Sequence, residues 1–409
     1  MSELFQVLRD PATIRLRCAA ITQAVAEDRS GWWTLDRSAL ADAAGRVAAL
    51  TRERFPEGRI PFHSRWRHFE AGGVDRKAEL EAVLAGRPAA EHARAMFDLT
   101  VVSVLLDAGA GAAWKYREGE RDYTRSEGLG VASFRAFMAG RFSADAADPL
   151  RVDAAALRRL DSGALREIFQ VAAGNPLVGL EGRAGLLQRL GAALQAEGAT
   201  DGTPARPALL FDRVTMGGVQ EVSAAALLGA VLKAFAPIWT SGSIIVGMPA
   251  GDVWPHRFAG DAARGGRDVT TAGWVPFHKL SQWLTYSLLE PLTWAGFPVT
   301  GLEALTGLPE YRNGGLFVDC GVLTPRDARA GQRKWKPADE FVVEWRALTV
   351  TLLDELALLV RDLLGKSATE LPLACVLEGG SWAAGRRVAA EKREGGAPPF
   401  TIESDGTIF

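Results

Sequence analysis

Apolar residues in this chain recur at three- and four-residue spacing in one long segment after another, and almost nowhere do they alternate. That rhythm lines one stripe of a helix, whereas a half-buried strand needs a period of two. Pro11-Ala12-Thr13 opens such a run, which reaches about Val25, and Asp36-Arg37-Ser38-Ala39-Leu40 opens another that Pro56-Glu57-Gly58 ends. The same period holds over 76–84, 90–106, 154–159, 165–172, 182–196 and 222–235, with Gly, Pro or Asp/Ser between the runs. Strand signals are confined to Ser243-Ile244-Ile245-Val246, Phe317-Val318 and Thr407-Ile408-Phe409. The expected class is therefore mainly α with short irregular β elements.

A chain of 409 residues supports one large or two medium domains. The expected arrangement is a single helical domain over 1–409, with lobes over 1–200 and 208–409 as the alternative subdivision. The best loops are Ala196–Pro207 and the Gly- and Arg-rich Ala259–Gly273, and the last thirty or so residues read as an irregular closing segment. Lys and Arg total 47 against 49 Asp and Glu, so the electrostatic footprint of a dedicated nucleic-acid binder is missing. Cys18, Cys320 and Cys375 are too few and too scattered for a disulfide framework, and they fit a reducing compartment. The N-terminal residues carry charges instead of an apolar signal segment. The longest apolar candidate for a membrane span, Val219–Trp239, is broken by Glu221, Lys233 and Pro237. A cytoplasmic protein with no membrane partner is expected.

Common catalytic signatures fail on inspection. Gly365-Lys366-Ser367 has Val360 where a phosphate loop needs glycine, and Gly109-Ala110-Gly111 follows a helical pattern and lacks a third glycine. The five histidines, His63, His68, His92, His256 and His278, have no metal-ligand spacing, so neither metal nor cofactor is expected. Any catalysis then rests on carboxylates, lysine or arginine.

Four segments concentrate such groups. In Val275–Leu288, Phe277, Leu280, Leu284 and Leu288 share one helical face while Lys279, Gln282, Trp283 and Tyr286 share the other. A cation, an amide and two rings suit a polar pocket, or equally a lysine lying on an aromatic face. Pro309-Glu310-Tyr311-Arg312-Asn313-Gly314-Gly315 and the following Asp319 read as a functional loop, or as a turn whose charges cap helices. Glu344 and Arg346 interrupt an apolar helix start, as site groups or as an exposed ion pair. Trp114-Lys115-Tyr116 and Arg125-Ser126-Glu127 offer rings and charge for a ligand, or for a core.

Trp114-Lys115-Tyr116, Arg125-Ser126-Glu127-Gly128-Leu129, Gly174-Asn175-Pro176-Leu177, Pro309-Glu310-Tyr311-Arg312-Asn313-Gly314-Gly315 and the ending Glu391-Lys392-Arg393 through Ser404-Asp405-Gly406-Thr407 together resemble the uracil-catabolism protein four family over nearly the whole chain. The resemblance implies a place in a uracil-degradation route with a ribosylurea intermediate. A second similarity runs to the queuosine-salvage N-glycosylases, whose fold is related to helix-hairpin-helix DNA glycosylases. His278-Lys279-Leu280-Ser281-Gln282, Pro309-Glu310-Tyr311-Arg312, Val343-Glu344-Trp345-Arg346-Ala347 and Leu180-Glu181-Gly182-Arg183 are similar to four of its elements. Glu310 stands where that family has aspartate.

This likeness implies a helix-hairpin-helix glycosylase-like fold and hydrolysis of a C–N bond at an anomeric carbon. In that chemistry a carboxylate sits beside the developing positive charge, and a proton or cation near the leaving nitrogen. Glu310 is the expected catalytic carboxylate, with Lys279 holding it ionised or meeting a 5′-phosphate and Asp319 sharing the acidic role. Arg312 offers a forked donor for phosphate or urea oxygen, Asp319 and Glu344 grip ribose hydroxyls, and Trp114 and Tyr116 wall the pocket. Glu127, His278, Gln282, Asn313 and Arg346 complete the expected substrate contacts. The alternatives are a glycosylase acting on an intact base and a non-enzymatic nucleotide-binding scaffold.

Overall fold

A computed structural model describes residues 3–111, 113–197, 205–239, 242–260 and 271–403. The expected strand at 407–409, the motif at 404–407 and most of the two long loops lie outside these residues.

The chain is mainly helical. Its first helices are α1 (Glu3–Arg9), α2 (Pro11–Ala26), α3 (Leu40–Arg54), α4 (Arg65–Phe69), α5 (Arg76–Leu84) and α6 (Ala89–Leu105). Next come α7 (Arg125–Met138), α8 (Ala154–Arg159), α9 (Ser162–Ile168), α10 (Leu180–Glu197), α11 (Leu209–Thr215) and α12 (Ala224–Phe235). The last are α13 (Lys279–Trp294), α14 (Tyr311–Asp319), α15 (Glu340–Leu364), α16 (Leu373–Val376) and α17 (Trp382–Lys392). Asp10, Asp75, Asp153 and Asp161 accept a backbone N–H at the starts of α2, α5, α8 and α9, which explains where those helices begin.

Among the described residues, strands come as pairs of two to four residues each. β1 (Trp33–Leu35) pairs antiparallel with β10 (Leu323–Pro325), and β2 (Lys115–Glu118) with β3 (Arg121–Thr124). β4 (Val222–Ser223) lies parallel to β9 (Val299–Thr300), and β5 (Ile244–Ile245) antiparallel to β6 (Met248–Pro249). β7 (Val253–Pro255) pairs antiparallel with β8 (Trp274–Pro276), and β11 (Lys334–Trp335) parallel with β12 (Thr401–Ile402). The strand expected at Phe317-Val318 is instead the last turn of α14, the helix that Glu310 caps at its start.

The chain divides into two compact units. Unit 1 joins Met1–His63, Gly242–Gln282 and Gly301–Glu403, while unit 2 joins Ser64–Ser241 to Trp283–Thr300. In unit 1, α15 runs through the core against α2 and α3. Trp33 stacks on Phe341 at 4.5 Å, Phe341 on Trp335 at 4.2 Å, and Phe400 meets Trp345 edge-on at 5.2 Å. Aromatic burial of this kind contributes both area and ring-pair geometry. In unit 2, fully buried Arg183 donates to the carbonyls of Leu106, Val178 and Ala108, which closes the loop after α6. Its guanidinium replaces helix-end partners that would otherwise be lacking.

Candidate functional site

The site is built on unit 1. β8 delivers the chain to His278, whose φ of 47° is a left-handed conformation that costs a non-glycine residue about 1–3 kcal/mol. Three bonds hold it there: its N–H donates to the Asp252 carbonyl at 3.4 Å, its Nε2–H to the Leu8 carbonyl at 2.8 Å, and its own carbonyl accepts from Gln282 at 2.8 Å. Burial lowers the pKa of the His278 ring, so a neutral ring tethered to α1 replaces the expected substrate contact. The strain sets the direction in which α13 leaves, and so where Lys279 stands.

Asp252, which no sequence pattern singles out, is the hub. Arg346 donates to both its carboxylate oxygens at 2.7 Å, Trp254 Nε1 donates at 2.7 Å, and the Lys279 N–H at 3.0 Å. Burial pushes this carboxyl upward, but the Arg346 charge and these donors outweigh it and hold the group at about 2. The Arg346 guanidinium also covers the Phe277 ring at 4.2 Å and reaches the Pro309 carbonyl at 3.4 Å. Arg346 is thus a buried brace, neither an exposed ion pair nor a group directed at a ligand.

Three side chains from three helices fix the segment that leads into α14. Gln282 of α13 exchanges two hydrogen bonds with Thr306, one of them at 3.0 Å. Arg346 of α15 holds Pro309, and Asn313 of α14 donates to the Leu308 carbonyl at 3.2 Å. Gln282 and Asn313 therefore serve the frame, and both are buried.

The frame presents Glu310. Its backbone is extended, and its carboxylate accepts the N–H groups of Arg312 and Asn313 at 2.6 Å each, as an N-cap. Burial pushes this carboxyl up; the two N–H donors, Lys279 and Arg312 pull it down, and the balance stays above the usual carboxylate value. Lys279 and Glu310 thus converge closely enough for one charge to act on the other. Arg312 donates to the Gly396 carbonyl at 2.8 Å and lies over Tyr311.

Other expected residues have separate partners. α14 carries Asp319 about 13 Å from Glu310 at 1.5 Å per residue, and Arg393 takes both its oxygens there, at 2.7 and 2.5 Å. Sharing of the acidic role by Asp319 does not fit this geometry. Glu344, fully buried, accepts from the Ser30 hydroxyl and meets His256 Nε2 at 3.2 Å, so it anchors the end of β7 instead of facing a sugar. Trp114, Tyr116 and Glu127 belong to unit 2. Trp114 is core, with Nε1 donating to the Phe169 carbonyl at 2.9 Å; Tyr116 sits opposite Tyr123 in the hairpin; Glu127 acts electrostatically on buried Arg65. A cavity of about 700 Å³ in unit 2, lined by Arg151, Asp153 and Arg158 among others, includes none of the expected site residues. Among the described residues no cluster of His, Cys, Asp and Glu could hold a metal ion, and no helix is long and apolar enough to cross a membrane.

A family model described as "Protein of unknown function (DUF1688)" matches residues 7–409. The chain belongs to this family. DUF1688 relatives include a Schizosaccharomyces pombe protein named "Protein urg3", 40% identical over 97% of this chain and 96% of its own length. A Lachancea kluyveri protein named "Uracil catabolism protein 4" is 41% identical over 86% of this chain and 85% of its own.

Proposed function

We propose that the chain acts in uracil degradation as an N-ribohydrolase, releasing urea from ribosylurea or its 5′-phosphate. The names of the two relatives support the pathway. The observation that carries the chemistry is the Glu310 carboxylate, pinned by two N–H groups at the start of α14 with Lys279 acting on its charge.

In this reading the bond between the anomeric carbon and the urea nitrogen breaks as positive charge grows on the sugar. Glu310 steadies that charge and orients water, as one carboxylate of a pair does in glycoside hydrolysis. The water oxygen bonds to the anomeric carbon and its proton ends on the leaving nitrogen. Lys279 favours the ionised form of Glu310. The helix-hairpin-helix glycosylase-like architecture and a cytoplasmic location belong to the same proposal.

The test incubates the purified protein with ribosylurea, its 5′-phosphate, uridine and uridine 5′-phosphate, and measures urea, free base and released sugar. Urea release is expected, falling at least about a hundredfold in Glu310→Gln. The glutamine carbonyl still caps one N–H, so stability should change by no more than about 1 kcal/mol. Unchanged turnover in that variant removes Glu310 from the mechanism. Release of an intact base with ribosylurea untouched makes the protein a nucleoside glycosylase, and binding without turnover makes it a scaffold.

A further inference from the structure

We infer that Ser381 is a positioning residue for the Glu310 carboxylate, acting through Asn313 from a π-helical turn between α16 and α17. The inference rests on the role given to Glu310 above.

Leu377–Ser381 form that π-helix, a rare wide turn that recurs at functional sites. Its shape is held from outside. The Glu378 carboxylate meets His63 Nδ1 at 2.8 Å and Arg54 Nη2 at 2.9 Å, and Arg54 also donates to the carbonyls of Glu378 and Gly379. Gly380 lies so close to α3 that a Cβ there would come within 2.5 Å of the Val47 carbonyl oxygen. Each residue added to a helix rotates the downstream chain by about 100°, so the wide turn sets the phase at which Ser381 and α17 face α14.

At that phase the Ser381 hydroxyl donates to Asn313 Oδ1 at 2.9 Å. The direction is forced. Asn313 Nδ2 is committed to the Leu308 carbonyl, which only accepts, so Oδ1 must face Ser381. Ser381 and Asn313 are 0% and 1% exposed, which leaves no room for bulk water as a substitute donor. Without the hydroxyl, Asn313 Oδ1 is a buried acceptor with no partner, the penalised arrangement. The amide then turns, the Leu308 carbonyl keeps only the Glu310 N–H at 2.9 Å and loses its side-chain donor, and the Asn313 main-chain N–H shifts relative to Glu310. The charged groups that face Glu310 are Lys279 from α13 and Arg312 from α14, with the Arg346–Asp252 pair behind Pro309. Ser381 is uncharged, so it alters the titration of Glu310 only through geometry.

The experiment follows the Glu310 side-chain carboxyl by ¹³C NMR in the full chain, assigned by its loss in Glu310→Gln. In Ser381→Ala the midpoint should rise by about half a pH unit or more, because N–H donors that favour the anion are displaced. Ser381→Thr, which keeps the hydroxyl, should restore it. With ribosylurea, kcat should fall about tenfold in Ser381→Ala at a KM within about twofold, since misplacement costs rate more than binding. Should Ser381→Ala not fold, Ser381→Cys, a weak donor of similar size, carries the same comparison. A Glu310 midpoint unmoved in the variant, with only thermal stability lowered, overturns the inference. If the wild-type protein releases no urea, the proposed function fails while the titration still decides the role of Ser381.

Discussion

At Glu310, the proposed mechanism has helix capping and acid–base chemistry meet on one carboxylate. The N–H donors and Lys279 keep it in reach of ionisation against the pull of burial, so activity that needs the anion should rise with pH through a midpoint above the ordinary glutamate value of about 4.3. Lys279→Met removes one of the groups that lower it, and the acidic limb of kcat/KM should move to higher pH. A limb unmoved in this variant means that Lys279 does not act on the carboxylate. Asp252 runs the other way. Its folded value of about 2 lies below its ordinary 3.8, so its contribution is full above that ordinary value and is lost as pH falls through about 2. The shift corresponds to about 2 kcal/mol. Asp252→Asn leaves the Arg346 charge buried without its counter-ion and should cost about 3–5 kcal/mol in urea unfolding at pH 7. It should also flatten the acid side of the stability profile.

The elements that carry these residues differ in how tightly they are fitted. A Cβ at Gly385 of α17 would stand 2.2 Å from the Arg312 carbonyl oxygen, so Gly385→Ala must push α17 off α14. That should cost about 1–3 kcal/mol, and urea release should fall with it. Gly45 in the middle of α3 has nothing within 4 Å of its would-be Cβ, and Gly45→Ala should stabilise by about 0.5–1 kcal/mol. Thermal melts of the two variants check both signs. The same contrast explains what the sequence disclosed. The apolar period marks α5 at Arg76–Leu84 and α8 at Ala154–Arg159 to the residue, because local caps end or begin them. It misses α14, where Gly314 and Gly315 read as a turn. Gly314 is there because a Cβ would meet Trp345 at 2.8 Å, a demand made by α15 and invisible from thirty residues away. The Lys279 and Glu310 motifs were visible as charges in unusual company. Asp252, Thr306 and Ser381 were not, since the partners that give them their roles, Arg346, Gln282 and Asn313, are distant in the chain.

For the molecule as a whole, unit 1 depends on segments from both halves of the sequence. β1 pairs with β10, and Arg15 of α2 joins Asp354 of α15 at 2.7 Å. Removing residues 1–36 therefore strips α15 of a neighbour and exposes the face around Trp345. The truncated chain should lose the cooperative circular-dichroism melt of the full protein; a sharp transition at an unchanged midpoint would show that the N-terminal helices are dispensable. The order of the segments also matters while the polypeptide is being made. Ser64–Ser241 and Trp283–Thr300 leave the ribosome before β10 and α15 exist, so unit 2 has all of these segments in hand while the N-terminal helices still wait for a partner. Nascent α2 and β1 thus spend most of translation with apolar faces uncovered, an interval in which a chaperone would find them.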